Sequence, residues 1–278
     1  MDNRALRVLR RHRGAMAGLA VLGLFALLAA AIGLLSPYDP VSLSNAAQRM
    51  QPPSGSHVLG TDYAGRDLFT RIFFAARLSL LIGAACVVFS MAVGVPLGAA
   101  AGYFPGWVDM SVSRLIDILL SFPSLLLAIT IAASMGAGMK SVILAVGIVG
   151  VPQFARQVRA SVLTLREQEF VTASRALGAG DARILFLRIL PNATGPIIVL
   201  ATLGVGSAIL TAAGLSFIGL GVEAGTPEWG AMLHDGFTDH RTSPYPALFS
   251  GMAISLAVLG FNLFGDGLRD ALDPKSIR

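Results

Sequence analysis

The chain has 278 residues, of which 54% are hydrophobic and only 13% charged, with a mean hydropathy of +0.71. A soluble domain carries about 25% charged residues, so this composition excludes an ordinary soluble fold and predicts lipid around the chain. The net charge of +5 does not indicate nucleic acid, because too few charged residues remain to build a binding face. The single cysteine, Cys86, can form no intrachain disulfide.

Six segments are predicted to cross a bilayer, since a helix needs about 20 apolar residues to do so. The first follows five arginines and is too long for a cleavable signal peptide, which predicts an uncleaved anchor. The second contains Gly94, Gly98 and Gly102, whose four-residue spacing predicts close packing against another helix. The predicted spans are 14–35, 78–103, about 112–137 with Pro123 inside it, 141–155 continuing past Arg156, 196–220 and 245–264.

Basic residues are distributed unequally between the two sides of this layout. Fifteen lie on the side of the N-terminus and six on the other, and the positive-inside rule places the richer side in the cytoplasm. Both termini and the loop 156–195 are therefore predicted to be cytoplasmic, and 36–77 and 221–244 to face outward. The predicted domains are 1–77, with the N-terminal arm, first helix and outward segment, and 78–278, a five-helix core with the cytoplasmic loop.

The cytoplasmic loop is predicted to contain helices of its own. Phe170, Ala173 and Leu177 form an apolar stripe on a short helix over 169–177, and such a stripe suits a groove in a partner protein. Gly178 and Gly180 are predicted to supply the permissive backbone of a tight break.

After this break, Asp181 is predicted to open a second helix and Pro191 to end that helix before the next span. The pattern predicts a helix–turn–helix elbow. A loop that packs only on its own bundle is the alternative.

The elbow resembles a signature of the membrane subunits of binding-protein-dependent ABC importers. That signature runs Glu-Ala-Ala, three residues, Gly, nine residues, Ile, one residue, Leu-Pro. The corresponding residues here are Thr172, Ala173, Ser174, Gly178, Leu190 and Pro191. Two positions depart from it, because Thr172 replaces the glutamate and Arg188 the isoleucine. The stretches 59–80, 214–233 and 261–275 resemble the peptide and nickel branch of the family, the C-type dipeptide and oligopeptide permeases.

The resemblance implies an all-α membrane protein with six transmembrane helices and the type I ABC importer permease fold, in the bacterial inner membrane. It implies that the elbow, including Phe170, couples to ATP-binding subunits. The implied partners are a homologous permease subunit forming a heterodimer, two ATP-binding subunits that hold ATP and magnesium, and an extracytoplasmic solute-binding protein. The chain itself is expected to bind no cofactor or metal and to have no catalytic residue. Di- or oligopeptides are the expected cargo, with nickel or a nickel chelate as the alternative.

Charged and aromatic residues outside the spans allow more than one interpretation. Asp62, Arg66 and Asp67 form either a salt-bridged cap on the bundle or part of a docking surface for the binding protein. Glu228 and Trp229 lie at the expected outer mouth, where Trp229 is either an interfacial anchor or a wall of the entrance. Within the third span, Arg114 and Asp117 are three residues apart and are expected to form an ion pair on one helix.

Enzymatic functions find little support in the sequence. The nearest approach to a phosphate-binding loop, "GAGMKS" at 136–141, has Met139 where the glycine should be. An intramembrane protease, the distant alternative, would need a pair such as Ser216 and His234. The spans hold no histidine, since His12, His57, His234 and His240 lie outside them, so a lasting metal site in the membrane path is not expected.

Overall fold

A computed structural model describes residues 3–41, 46–223, 225–238 and 241–272. His240 lies outside these residues, as do Lys275 and Arg278, which are two of the fifteen basic residues counted on the side of the N-terminus. The described part is helical apart from loops and one isolated bridge between Thr61 and Asp67. Its helices are α1 (Asn3–Arg11), α2 (Arg13–Leu35), a 3₁₀ turn (Ala46–Gln48), α3 (Leu68–Tyr103), α4 (Trp107–Ser121), α5 (Ser124–Met135), α6 (Met139–Arg166), α7 (Glu169–Ala176), α8 (Asp181–Ile184), a π-helical segment (Leu185–Ile189), α9 (Leu190–Phe217), α10 (Trp229–Thr238) and α11 (Tyr245–Leu272).

Five helices of the described chain are long and apolar enough to cross a bilayer, namely α2, α3, α6, the continuous helix Asp181–Phe217 and α11. The predicted all-α architecture is confirmed. Helices α4 and α5 together also meet this criterion of length and composition, but the two are bent by 91°. The third span predicted over 112–137 therefore corresponds to a bent pair of helices. Its break lies at Phe122 and Pro123, because proline lacks a backbone N–H and disfavours helix in the residue before it.

Helices α3 and α6 form the most extensive contact between two spans in the described part of the chain. A Cβ atom added at Gly94 would lie 2.8 Å from the carbonyl oxygen of Val151, and one added at Gly102 would lie 2.9 Å from that of Arg159. At Gly98 the added atom would meet the backbone of α6 even more closely. Only glycine permits this distance, so the predicted packing role of the three glycines is confirmed.

Helix α3 is longer than the span predicted from its sequence. Its 36 residues correspond to about 54 Å of helix, which exceeds the roughly 30 Å of a hydrocarbon core. It begins at Leu68, where Asp67 caps it by accepting hydrogen bonds from the backbone N and the hydroxyl of Thr70 (2.8 and 2.7 Å). The predicted boundary between residues 77 and 78 falls inside this helix, and the segment before it ends at Asp67.

Ion pairs join α4 to α6 rather than residues within α4. The guanidinium of Arg159 donates two hydrogen bonds to the carboxylate of Asp109, at 2.6 and 2.8 Å. Asp117 lies 3.1 Å from Arg156, and both side chains are more than half exposed. The pair predicted between Arg114 and Asp117 is therefore wrong, because the carboxylate of Asp117 faces the neighbouring helix.

Candidate functional site

The elbow consists of residues 169–189, that is α7, the turn after it, α8 and the π-helical segment. One side of it is buried against the ends of the spans. Val171, Ile184 and Ile189 have no exposed surface, and they form a cluster with Val158 and Val162 of α6. The elbow is thus attached to the bundle through an apolar face of its own.

The turn of the elbow is a helix-terminating motif built around Gly178. This glycine has a φ of +79°, in the region that L side chains rarely adopt. The N–H of Gly178 donates to the carbonyl of Arg175 (2.9 Å), and the N–H of Ala179 donates to the carbonyl of Ser174 (3.1 Å). These are the two hydrogen bonds of a Schellman motif. The prediction for Gly178 is confirmed, whereas Gly180 has a φ of −71° and needs no glycine.

The other side of the elbow exposes apolar and small side chains. Leu177 is 88% exposed and Phe170 37%. Thr172 and Ala173 are exposed, and Ser174 is partly exposed and donates its hydroxyl to the carbonyl of Phe170 (2.7 Å). Farther along the chain, the π-helical segment adds Phe186 and Leu187, which are 62% and 63% exposed. The signature positions before Gly178 therefore lie on a surface that the described part of the chain leaves uncovered.

Pro191 does not end the helix, so that prediction is wrong. The helix runs without interruption from Asp181 to Phe217. A proline normally clashes with the carbonyl four residues before it, but here the preceding turn is widened, and the N–H of Leu190 donates to the carbonyl of Leu185, five residues back. The wide π-type turn provides the room that the proline ring needs. Leu190 is partly buried beside the cluster under the elbow.

One side-chain hydrogen bond joins the elbow to the end of α3, and a second joins α6 to the same end. The hydroxyl of Tyr103 donates to the carboxylate of Asp181 of the elbow at 2.7 Å, and Arg166 of α6 donates to the carbonyl of Gly102 at 3.0 Å. Sequence reasoning missed Tyr103, because its partner lies 78 residues away. The elbow and the adjoining ends of α3 and α6 are thus connected by polar as well as apolar contacts.

Comparisons with known proteins agree with this geometry. A model of the family described as binding-protein-dependent transport system inner membrane component matches residues 94–278. A model of the N-terminal transmembrane domain of oligopeptide transport permease C matches residues 3–53. The chain belongs to this permease family. It is the membrane-spanning permease subunit of an ABC importer.

Similar proteins include the dipeptide transport system permease protein of Alkalihalophilus pseudofirmus, which is 48% identical over 271 residues, covering 98% of this chain and 89% of that protein. The glutathione transport system permease proteins of Pectobacterium atrosepticum and Escherichia coli are 45% and 43% identical over 269 residues, covering 97% of this chain and 89% and 88% of theirs. An inward-facing structure of the methionine ABC transporter MetNI has a TM-score of 0.62 at 18% identity, covering 74% of this chain and 98% of that chain. This likeness confirms the fold of a type I importer permease.

At the far end of α3 from the elbow, the permease has a buried cluster of charges. We call it the cap, and it consists of residues 57–71. Asp62 accepts a hydrogen bond from Arg66 (2.7 Å) and lies 3.4 Å from Arg71. Arg71 also donates to the carbonyls of Pro40 (2.6 Å) and Gly225 (3.3 Å). One arginine thereby joins the segment after α2, the start of α3 and the loop before α10.

A second buried pair completes the cap. His57 Nδ1 lies 3.0 Å from a carboxylate oxygen of Asp67, and both side chains are at most 4% exposed. Since Asp62 and Arg66 are also only 5% and 4% exposed, these side chains present almost no surface to a binding protein. The geometry agrees with the salt-bridged cap, and a docking role for Asp62, Arg66 or Asp67 remains a prediction. Sequence reasoning missed Arg71 and His57, because the carboxylate that Arg71 pairs with is that of Asp62, nine residues earlier and outside the helix.

Glu228 and Trp229 are also buried. The carboxylate of Glu228 accepts hydrogen bonds from the backbone N–H groups of Gly230 and Ala231, both at 2.9 Å, at the start of α10. Trp229 has no exposed surface. Its indole donates to the carbonyl of Ile72 (2.9 Å). A side chain without exposed surface neither anchors the chain at a lipid interface nor lines an entrance, so both interpretations of Trp229 are wrong for this conformation.

The pair considered for an intramembrane protease is not organised for catalysis. His234 Nδ1 lies 2.6 Å from the carbonyl oxygen of Phe217, and since a carbonyl only accepts, this nitrogen carries the proton. The hydrogen bonds of the described residues do not include one between this imidazole and the hydroxyl of Ser216, which a nucleophile and its general base would share.

Proposed function

We propose that this permease imports di- or oligopeptides as one half of a heterodimeric path, together with a homologous permease subunit. Two ATP-binding subunits hold ATP and magnesium and bind the elbow, and an extracytoplasmic solute-binding protein delivers the cargo. The chain itself binds no cofactor and has no catalytic site. Closure of the ATP-binding subunits moves the elbow, and rigid-body movement of the bundle opens the path alternately to the two sides.

One observation carries the coupling role. The elbow presents Leu177, Phe170 and Phe186 as exposed apolar side chains while its other face is fully buried. Exposed apolar side chains on an amphipathic helix fit a groove in a partner. The hydrogen bond from Tyr103 to Asp181 and the packing of Val171 and Ile184 against α6 are the contacts through which such a partner would move the spans.

The cargo class rests on the relatives. Two kinds of relative over 40% identical along nearly the whole chain are named as dipeptide and glutathione transport permeases, and both cargoes are peptides. This supports peptides over nickel. A path for peptides needs polar groups that bind weakly, because a tight site would trap the cargo.

Reconstitution of the complex in proteoliposomes tests this function. With the ATP-binding subunits and the solute-binding protein present, we expect ATP-dependent uptake of a labelled dipeptide and no uptake of nickel above that of liposomes without protein. ATP-dependent nickel uptake with no dipeptide uptake would contradict the proposal.

We also propose that both termini and the elbow are cytoplasmic and that the cap faces outward. The arginines of α1 and the elbow support this orientation through the positive-inside rule. A cysteine at the exposed Ser56 should react with an impermeant thiol reagent from outside intact cells, and a cysteine at Gly180 only after the membrane is opened. The opposite result would reverse the orientation.

A further inference from the structure

Two adjoining cavities open beside the elbow, between the spans that the elbow connects. They have volumes of about 620 and 330 Å³ and share Gln157, Asn192 and Pro196 in their walls. Both volumes lie in the range of about 300–1,000 Å³ that is typical of small-molecule sites. α6 and the helix 181–217 line both cavities, and α11 closes the larger one. Since the elbow links the first two of these helices directly, its movement changes the width of the cavities.

The larger cavity is lined by polar side chains of three different helices, Gln157, Asn192 and Arg269. Apolar side chains, among them Val199 and Leu203, line the rest of it. Asn192 and Leu203 are eleven positions apart on one helix, which corresponds to about 17 Å along its axis. The cavity therefore reaches from the elbow end of this helix into its membrane-spanning part.

Of the described residues that line the two cavities, Arg269 is the only one with a cationic side chain. It is exposed, and the salt bridges formed among the described residues do not include it. A guanidinium in a cavity wall without a carboxylate partner among these residues favours a ligand with a carboxylate, and every peptide with a free C-terminus carries one.

A second groove in the chain differs from these cavities, because its lining is almost entirely apolar and suits contact with lipid. It is lined by apolar side chains such as Leu22, Val88 and Phe264, and its one hydroxyl, that of Thr202, donates to the carbonyl of Ile198 at 2.9 Å. The cavity with Gln157 and Arg269 differs because polar side chains of three helices converge on it.

From these observations we propose that the cavity lined by Gln157, Asn192, Val199, Leu203 and Arg269 is the elbow-side part of the cargo path. Arg269 transiently binds the C-terminal carboxylate of the peptide there. This inference rests on the proposed function and names the residues that the cargo meets. The weak, exposed ion pair suits a site that must release what it binds.

A bulky label tests the cavity itself. A complex with Cys86→Ala and Val199→Cys is reacted with a large thiol reagent before reconstitution, and dipeptide uptake is compared with that of the same complex left unreacted. We expect the label to lower uptake about tenfold while ATP hydrolysis continues. The control is Leu259→Cys in α11, which is 49% exposed and outside both cavities, and its label should leave uptake unchanged.

Variants of Arg269 test the carboxylate contact. Loss of an exposed ion pair predicts that Arg269→Gln lowers dipeptide uptake roughly twofold to fivefold. Arg269→Glu should lower it further, and Arg269→Lys should restore it. Arg11→Gln, an exposed arginine outside the cavities, serves as the control for lost positive charge.

The outcomes separate the inference from the proposed function. No dipeptide uptake by the unreacted complex would contradict the function. Normal uptake after labelling of Val199→Cys would place the cavity outside the path, as a surface open to lipid. Equal uptake by the Lys, Gln and Glu variants of Arg269 would refute the carboxylate contact alone.

Discussion

The cap and the elbow lie at opposite ends of α3. They differ in how far their side chains are buried by contacts within the chain. In the cap, charged residues such as Asp62 and Arg71 are at most 5% exposed and are paired within the chain. In the elbow, apolar residues such as Leu177 and Phe186 are 88% and 62% exposed. Buried charges are tolerated only when paired, and exposed apolar clusters indicate a missing partner. The comparison shows that the cap pairs its charged groups within one subunit, although Arg66 Nη2 is buried without a hydrogen-bond partner among the described residues, whereas the elbow leaves its apolar side chains uncovered.

The strongest test of this difference removes one charge from the cap. Asp62→Asn keeps an oxygen that accepts from the backbone of Ala64 and Arg66 but leaves two buried guanidinium groups without their counter-charge. Removing one partner of a buried pair costs about 3–5 kcal/mol. We expect thermal unfolding of the purified complex at a clearly lower temperature, with little protein recovered from membranes.

The matched control is Asp117→Asn. The side chains of Asp117 and its partner Arg156 are 56% and 60% exposed. Exposed ion pairs of this kind contribute about 0–1 kcal/mol to stability. If both variants melt at the same temperature, the cap is not the rigid, self-sufficient element that its burial indicates.

The next test concerns the turn of the elbow. In Gly178→Val, a β-branched side chain must adopt a φ near +79°, which costs about 1–2 kcal/mol locally or tilts α7 relative to α8. We expect the complex to assemble and hydrolyse ATP while uptake falls severalfold. Because there is open space around both glycines, Gly180→Val, at a φ of −71°, is the control and should retain most uptake. Normal uptake by Gly178→Val would show that the shape of the turn does not matter for coupling.

The spans and this turn were predictable because each depends on residues that are close together in the sequence. A span needs about 20 consecutive apolar residues, and the turn needs a glycine directly after an amphipathic stripe. The burial of the cap was not predictable in the same way. Arg71 binds the carbonyls of Pro40 and Gly225, which are 31 and 154 residues away. Trp229 likewise donates to Ile72, 157 residues away. The polar composition of these segments suggests exposed outer loops. It does not reveal that the segment after α2, the start of α3 and the loop before α10 pack together and bury these side chains.

The prolines show a second limit of local reasoning. Pro123 and Pro191 give the same signal, yet α4 and α5 are bent by 91° at the first and the helix continues through the second. The difference is the π-type turn before Pro191, which makes room for the ring and is stabilised by packing of Leu185 and Ile189 against the bundle. Tertiary contacts decided which proline breaks its helix.

A smaller effect is expected when the exposed apolar surface of the elbow is made polar. Leu177→Ser removes an 88% exposed side chain, so the stability of the permease should change by less than about 0.5 kcal/mol. Association with the ATP-binding subunits should weaken by about 1 kcal/mol, roughly fivefold, measured as co-purified ATP-binding subunit at limiting concentration. Leu34→Ser is the control, since Leu34 is 94% exposed at the cap-side end of α2. Equal association of both variants with the ATP-binding subunits would refute the elbow as their docking surface.

The smallest effect is a pH dependence at the edge of the cap. Asp235 of α10 lies beside a small cavity that Asp62 and Arg71 also line, and burial raises the pKa of its carboxyl, although Arg71 and Arg66 act in the opposite direction. An acid whose pKa is raised by folding stabilises the fold below its ordinary pKa, and this contribution is lost as pH rises through the raised value.

The variant Asp235→Asn, whose side chain is neutral at every pH, should therefore have a slightly higher melting temperature than the natural protein at about pH 8. The expected difference is a fraction of 1 kcal/mol, or roughly 1 °C. The difference should disappear below the ordinary pKa of an aspartate, at about pH 3, where the side chain is neutral in the folded and the unfolded chain. Glu223→Gln, at an exposed residue in the preceding loop, should show no such trend. A lower melting temperature of Asp235→Asn at pH 8 would mean that the attraction to Arg71 outweighs burial and that the cap includes Asp235 as a counter-charge.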